Sequence, residues 1–149
     1  PKVDKMENEL ETTVTYYDNG QKKEEYSLRD DVPEGDWTTW YENGQKRSVE
    51  TYVGIGFYGT PKEREGCHIS NTICEPHGLS ISWYENGQKS NEYTQIFGHQ
   101  YGLDTEWYEN GQKESEGNWT GDERDGLFTY WNEEGNITKT EMYRGGELV

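Results

Sequence analysis

The residue types best suited to chemistry gather in one stretch. Cys67, His68, Cys74 and His77 lie close together, with His99 further along. Three readings of the cysteines stand open. They can form a disulfide closing a small loop, which suits a secreted or periplasmic chain. They can be two reduced thiols in a cytosolic one. Or they can join the histidines as zinc ligands, although neighbours such as Cys67 and His68 do not easily bind one ion. A Cys–His nucleophile would need His68, His77 or His99 beside a thiol, and a disulfide would abolish it. No P-loop, Gly-x-Ser-x-Gly or His-Glu-x-x-His is present. Asp122-Glu123-Arg124-Asp125 suggests calcium by composition but lacks the spacing of an EF-hand loop, and reads as a turn between hairpins. Two Asn-x-Thr sequons begin at Asn118 and Asn136. The expectation is a non-enzymatic protein with no metal and no cofactor, with Cys67 and Cys74 as a disulfide candidate.

The elements that must carry these residues are unusual in composition. Among 149 residues, 30 are Asp or Glu and 14 are Lys or Arg, a formal charge of -16. Leu, Ile, Val and Phe total 21, and alanine is absent. So charged and aliphatic-poor a chain ordinarily stays disordered. Against that stand 6 Trp, 12 Tyr and 18 Gly, the glycines at regular intervals. The charge argues against nucleic acid and anionic membrane surfaces, and makes a basic protein the natural complement. No apolar run approaches the ~20 residues of a membrane span, and the first ten residues lack the apolar centre of a signal peptide. The chain opens on Pro1 and not Met, compatible with removal of a leader.

Order comes from repetition. Tyr-[Asp/Glu]-Asn-Gly-Gln-Lys occurs at residues 17–22, 41–46, 84–89 and 108–113, with a decayed fifth copy at 132–137. The shared glycines, Gly20, Gly44, Gly87, Gly111 and Gly135, are spaced 24, 43, 24 and 24, so the period is 24 with 19 residues inserted once. A second glycine precedes four of the turns by nine positions: Gly35, Gly78, Gly102 and Gly126. Asn-Gly between alternating runs is the strongest short hairpin signal. Leu79, Ile81 and Trp83 alternate before one turn, and Tyr93 follows it. A three-residue Glu-Asn-Gly turn with a glycine bulge pairs Trp40 with Lys46 and Trp83 with Lys89, and is expected to bring these aromatics to one face. Five stacked hairpins, about ten strands, give an all-β, elongated, twisted single-layer sheet or open solenoid of roughly 45–50 Å, without a helix of consequence. Residues 1–10 form a tail, and residues 11–149 the repeat domain.

The hexapeptide, preceded by Gly-Leu-x-Thr-x-Trp and followed by Ser-Glu, resembles the bacterial MORN-repeat variant, most closely from Gly102 to Gly126. The resemblance implies tandem β-hairpins and kinship with YwqK-like antitoxins.

The insertion, within residues 53–77, carries two cations and three anions over Gly54 to His77, leaving -15 for the rest. A near-neutral loop in an acidic array is where a specific feature belongs. Tyr17, Tyr41, Tyr84 and Tyr108 follow the Trp positions and turn to the other face. They read either as stacking that stabilises the sheet or as a binding platform. With Tyr58, Glu42, Glu85 and Glu109 they are the candidate partner-binding residues. Two functions follow. The first is an immunity or antitoxin-type protein that occupies a basic toxin as a competing polyanion. The alternative is a secreted or periplasmic surface protein, structural or glycan-binding. Periplasmic or extracellular placement goes with a Cys67–Cys74 disulfide, cytoplasmic placement with free thiols. Open end strands suggest end-to-end self-association.

Overall fold

The computed structural model describes residues 9–53 and 76–149. They form five successive hairpins. β1 (Leu10–Tyr16) pairs β2 (Lys22–Arg29), β4 (Gly35–Trp40) pairs β5 (Lys46–Tyr52), and β6 (Gly78–Trp83) pairs β7 (Lys89–Ile96). β8 (His99–Trp107) then pairs β9 (Lys113–Thr120), and β10 (Glu123–Trp131) pairs β11 (Ile137–Arg144). Two-residue strands β3 (Val32–Pro33) and β12 (Glu147–Leu148) complete one open antiparallel sheet in chain order, with β3 off the main path beside β2. No helix occurs among the described residues.

The hexapeptide makes the three-residue turn that its spacing predicts. In the first copy Gly20 N–H donates to the Tyr17 carbonyl and Tyr17 N–H to the Gln21 carbonyl, both at 2.9 Å. The five turn glycines have φ between +84° and +87°. A side chain there costs about 1–2 kcal/mol, which is why glycine recurs. Trp40 pairs Lys46 and Trp83 pairs Lys89, as the turn requires.

The expected single aromatic face does not form. One residue beyond each Trp–Lys pair the register slips, so that Ser82 pairs Asn91 and Ser80 pairs Tyr93. This bulge adds one residue to the second strand, and a one-residue slip exchanges the faces of everything after it. Leu79, Ile81 and Trp83 therefore lie on one face and Tyr93 on the other. Two-residue turns with positive φ at both positions follow four of the hairpins: Phe97-Gly98 and Gly121-Asp122 lead to the next hairpin, Asp30-Asp31 leads from β2 to β3 and Gly145-Gly146 from β11 to β12. These are type I′ geometries, matched to strand twist. The expected turn at Asp122–Asp125 is thus centred on Gly121-Asp122, and Glu123–Asp125 belong to β10.

There is little conventional core. Among the described residues only Val32 and Phe128 are buried apolar side chains, each 5% exposed, with Ser80 and Thr105 the buried polar ones. Aromatic clusters on one face replace it. Tyr26 stacks on Trp37 at 4.2 Å, while Phe128 meets Trp119 and Tyr143 edge-on. Arg124 lies over all three of these last rings. Gly117 makes room for Phe128, since a Cβ there would stand 2.3 Å from its ring.

The insertion does not interrupt the array. β5 pairs β6 through Ser48–Ser82, Val49–Ile81 and Glu50–Ser80, so the second and third hairpins are direct neighbours. Tyr58, Cys67, His68 and Cys74 lie outside the described residues.

Candidate functional site

The tyrosine series sits on the edge of the sheet formed by the three-residue turns, and each hydroxyl reaches the next repeat. Tyr17 Oη donates to the Trp40 carbonyl at 2.8 Å, Tyr41 to Trp83 at 2.8 Å, Tyr84 to Trp107 at 2.7 Å and Tyr108 to Trp131 at 2.8 Å. The turn asparagines do the same. Asn19, Asn43, Asn86 and Asn110 donate through Nδ2 to the carbonyls of Glu42, Glu85, Glu109 and Glu133, at 2.7–2.9 Å. Each also accepts, through Oδ1, the N–H of its own repeat's glutamine. Gln21, Gln45, Gln88 and Gln112 lay their carboxamides against the next glycine, with Oε1 3.0–3.2 Å from where a Cβ would stand. Lys22, Lys89 and Lys113 lie over the next repeat's Trp40, Trp107 and Trp131 at 5.3, 5.7 and 5.7 Å. Every residue of the hexapeptide except its acidic second position therefore has a side-chain or conformational role in repeat stacking. The Tyr41–Trp83 bond spans the insertion unchanged.

What remains free for a partner is the acidic second position. The Glu42, Glu85 and Glu109 side chains are exposed, one per repeat along the turn edge, with Asp18 and Glu133 continuing the row. Two strands per repeat give a spacing of about 10 Å. The tyrosine rings are half-buried.

The edge is electrostatically split. In the first two repeats a cation covers the ring: Lys23 lies 5.7 Å from Tyr17 and Arg47 5.8 Å from Tyr41. One period on, the same position is Ser90, then Glu114. No cation covers Tyr84 or Tyr108 among the described residues. Burial first, then the carboxylates of Glu114, Glu109 and Glu106, push the Tyr84 hydroxyl pKa up. Burial, Glu114 and Glu133 do the same to Tyr108. Glu114 is itself raised, by burial and by the negative charge of Glu106 and Glu133. Like charges held together in this way favour a cationic group between them.

A family model described as the MORN repeat variant matches residues 33–53, 76–94 and 100–120. These three segments are similar to MORN-variant repeats. The hairpins β1–β2 and β10–β11 outside the matched residues extend the same geometry, since Tyr17 bonds Trp40 and Tyr108 bonds Trp131. No curated protein matches the chain.

Two polar sites lie elsewhere in the sheet. His99 Nδ1 meets the Asp122 carboxylate at 2.6 Å, and the same carboxylate accepts the Gln100 N–H at 2.8 Å. These bonds, the backbone one foremost, lower the Asp122 pKa. On the aromatic-cluster face, Asp104 is half-buried and accepts from the Gln100 amide at 2.8 Å. Burial pushes its pKa up against that bond. Sequence reasoning missed Glu106, Glu114 and Glu133. The signal was available in the substitution of Lys23 and Arg47 by Ser90 and Glu114 at one repeat position.

Proposed function

We propose that the chain is a non-enzymatic, protein-binding repeat scaffold that takes a basic partner along the turn edge of its third to fifth repeats. One observation carries this reading. Exposed Glu109 and Glu133 on the turn edge, and Glu106 paired with Ser115 next to Glu114, flank the repeats of two tyrosines whose equivalents in the first two repeats lie under cations. Such a patch steers a basic surface on quickly and discriminates against acidic partners. In function this corresponds to immunity of the antitoxin type: a basic toxin domain held by a polyanionic edge, with the exposed carboxylates as contacts and the tyrosines as the framework beneath them.

The test is capture on the immobilised chain followed by a salt gradient, with a second column carrying E106Q/E109Q/E114Q/E133Q. At about 0.2–1 kcal/mol per exposed charge pair, four neutralisations weaken binding by roughly 4-fold to several hundred-fold. The expected result is a basic protein that leaves the native chain only at high salt and passes through the variant column. Retention that ignores both salt and the four substitutions contradicts the reading.

A further inference from the structure

The turns that stack the repeats also carry a reactive dipeptide. Asn-Gly occurs as Asn19-Gly20, Asn43-Gly44, Asn86-Gly87 and Asn110-Gly111. Asparagine is a thermolabile residue, and glycine after it leaves no Cβ to hinder attack of the glycine nitrogen on the side-chain amide. That attack needs a free nitrogen and a carboxamide free to rotate onto it.

In this sheet both are held. The glycine N–H donates back to the tyrosine carbonyl of its own turn: Gly20 to Tyr17, Gly87 to Tyr84 and Gly111 to Tyr108 at 2.9 Å, and Gly44 to Tyr41 at 3.0 Å. The carboxamide is pinned through both of its polar atoms. Oδ1 accepts the N–H of Gln21, Gln45, Gln88 or Gln112 at 2.9–3.0 Å. Nδ2 donates to the carbonyl of Glu42, Glu85, Glu109 or Glu133 at 2.7–2.9 Å. The first two bonds belong to the turn itself. The third reaches the next repeat, so it exists only while the two repeats are stacked.

We infer that the four Asn-Gly turns are latent deamidation sites, shut by repeat stacking and converted to aspartate or isoaspartate when an interface opens. The glycine nitrogen bonds to the asparagine Cγ and the Cγ–Nδ2 bond breaks. The side-chain amide leaves as ammonia, taking up the proton lost by the glycine nitrogen. Water then opens the cyclic imide, giving aspartate by attack at one carbonyl and isoaspartate by attack at the other. Neither product restores the interface. A carboxylate only accepts hydrogen bonds, so an oxygen replaces Nδ2 against the next repeat's carbonyl oxygen. Isoaspartate also adds a methylene to the backbone of the turn. A local opening, ordinarily reversible, is thereby made permanent. These sites lie in the turns of the first four repeats and stand without the acidic-edge reading.

Conversion at each asparagine is read by peptide mass spectrometry after incubation at mildly alkaline pH, with and without denaturing urea. Breaking three hydrogen bonds of ordinary net strength slows the attack roughly 10- to 1000-fold. All four Asn-Gly sites are expected to convert in urea and to lag by at least ~10-fold in the folded chain. Asn91 and Asn118, followed by Glu92 and Trp119, should convert far more slowly in urea. Equal rates at the four sites in the folded and unfolded chain overturn the inference. Tyr84→Phe then separates stacking from the turn. It removes a bond of the interface that holds Asn86, so Asn86 should convert about 5- to 10-fold faster while Asn19 is unchanged. A folded variant with no change at Asn86, or with an equal rise at both sites, overturns the role of stacking. Lys89→Ala, which removes the cation over the Trp107 ring of the same interface, makes this comparison if Tyr84→Phe does not fold. Asn86→Asp is the product itself and should unfold at lower urea than the native chain. An unchanged midpoint overturns the permanence of the opening.

Discussion

Tyr84→Phe separates a structural tyrosine from a displayed one. The substitution leaves the half-buried ring and removes only the hydroxyl that donates to the Trp107 carbonyl at 2.7 Å. A net hydrogen bond contributes about 0.5–1.5 kcal/mol, and stranding a partly buried carbonyl places the loss toward the upper end. The expected destabilisation is therefore about 1–1.5 kcal/mol. It falls on the interface between the third and fourth repeats, and in a nearest-neighbour array weakening one interface also lowers cooperativity. Tyr16→Phe is the matched control: Tyr16 is 59% exposed and its hydroxyl meets no described partner, so the change should stay within about 0.5 kcal/mol. Urea unfolding followed by tryptophan fluorescence measures both. Tyr84→Phe should lower the midpoint measurably and broaden the transition relative to Tyr16→Phe. Equal midpoints would refute the reasoning and return the tyrosine edge to the status of a free binding surface.

Three further outcomes follow from the same geometry. Asn86→Ala deletes both the bond to the Glu109 carbonyl and the one that accepts Gln88 N–H, and should cost about 1–3 kcal/mol in the same urea experiment. Gly117→Ala drives a methyl into the Phe128 ring and should cost about 1–3 kcal/mol or more, read as a fall in Tm. Asp104→Asn bears on pH. Because burial raises its pKa in the folded chain, the folded state binds more protons between the unfolded and folded values, and stability falls as pH rises through that window. The variant should be more stable than the native chain at pH 7, and the difference should vanish at pH values below the ordinary carboxylate range.

Much of the fold was legible because its signals are local and repeated. The Asn-Gly pairs, the 24-residue period and the three-residue turn all depend on one hexapeptide, and the Trp40–Lys46 pairing followed from counting. The bulge after each turn was not legible. Its extra residue is Lys23, Arg47, Ser90, Glu114 or Thr138, types with no shared chemistry, so nothing marks it. The faces of Leu79 and Tyr93 were misassigned for that reason alone. Tyr17, Tyr41, Tyr84 and Tyr108 were visible as a series, but whether a phenol faces water or a neighbouring carbonyl depends on how far the next repeat lies, which spacing does not state. The acidic patch was half-visible. Glu109 was singled out, while Glu106 and Glu114 come from different strands and meet only once β8 and β9 pair.

The binding reading rests most directly on the salt dependence of affinity. Titration of the captured basic partner into the native chain and into E106Q/E109Q/E114Q/E133Q, from 50 to 300 mM salt, measures it. The account predicts affinity that falls steeply with salt for the native chain and a weaker, flatter dependence for the variant. Affinity that is high, unchanged by salt and indifferent to the four substitutions would contradict it.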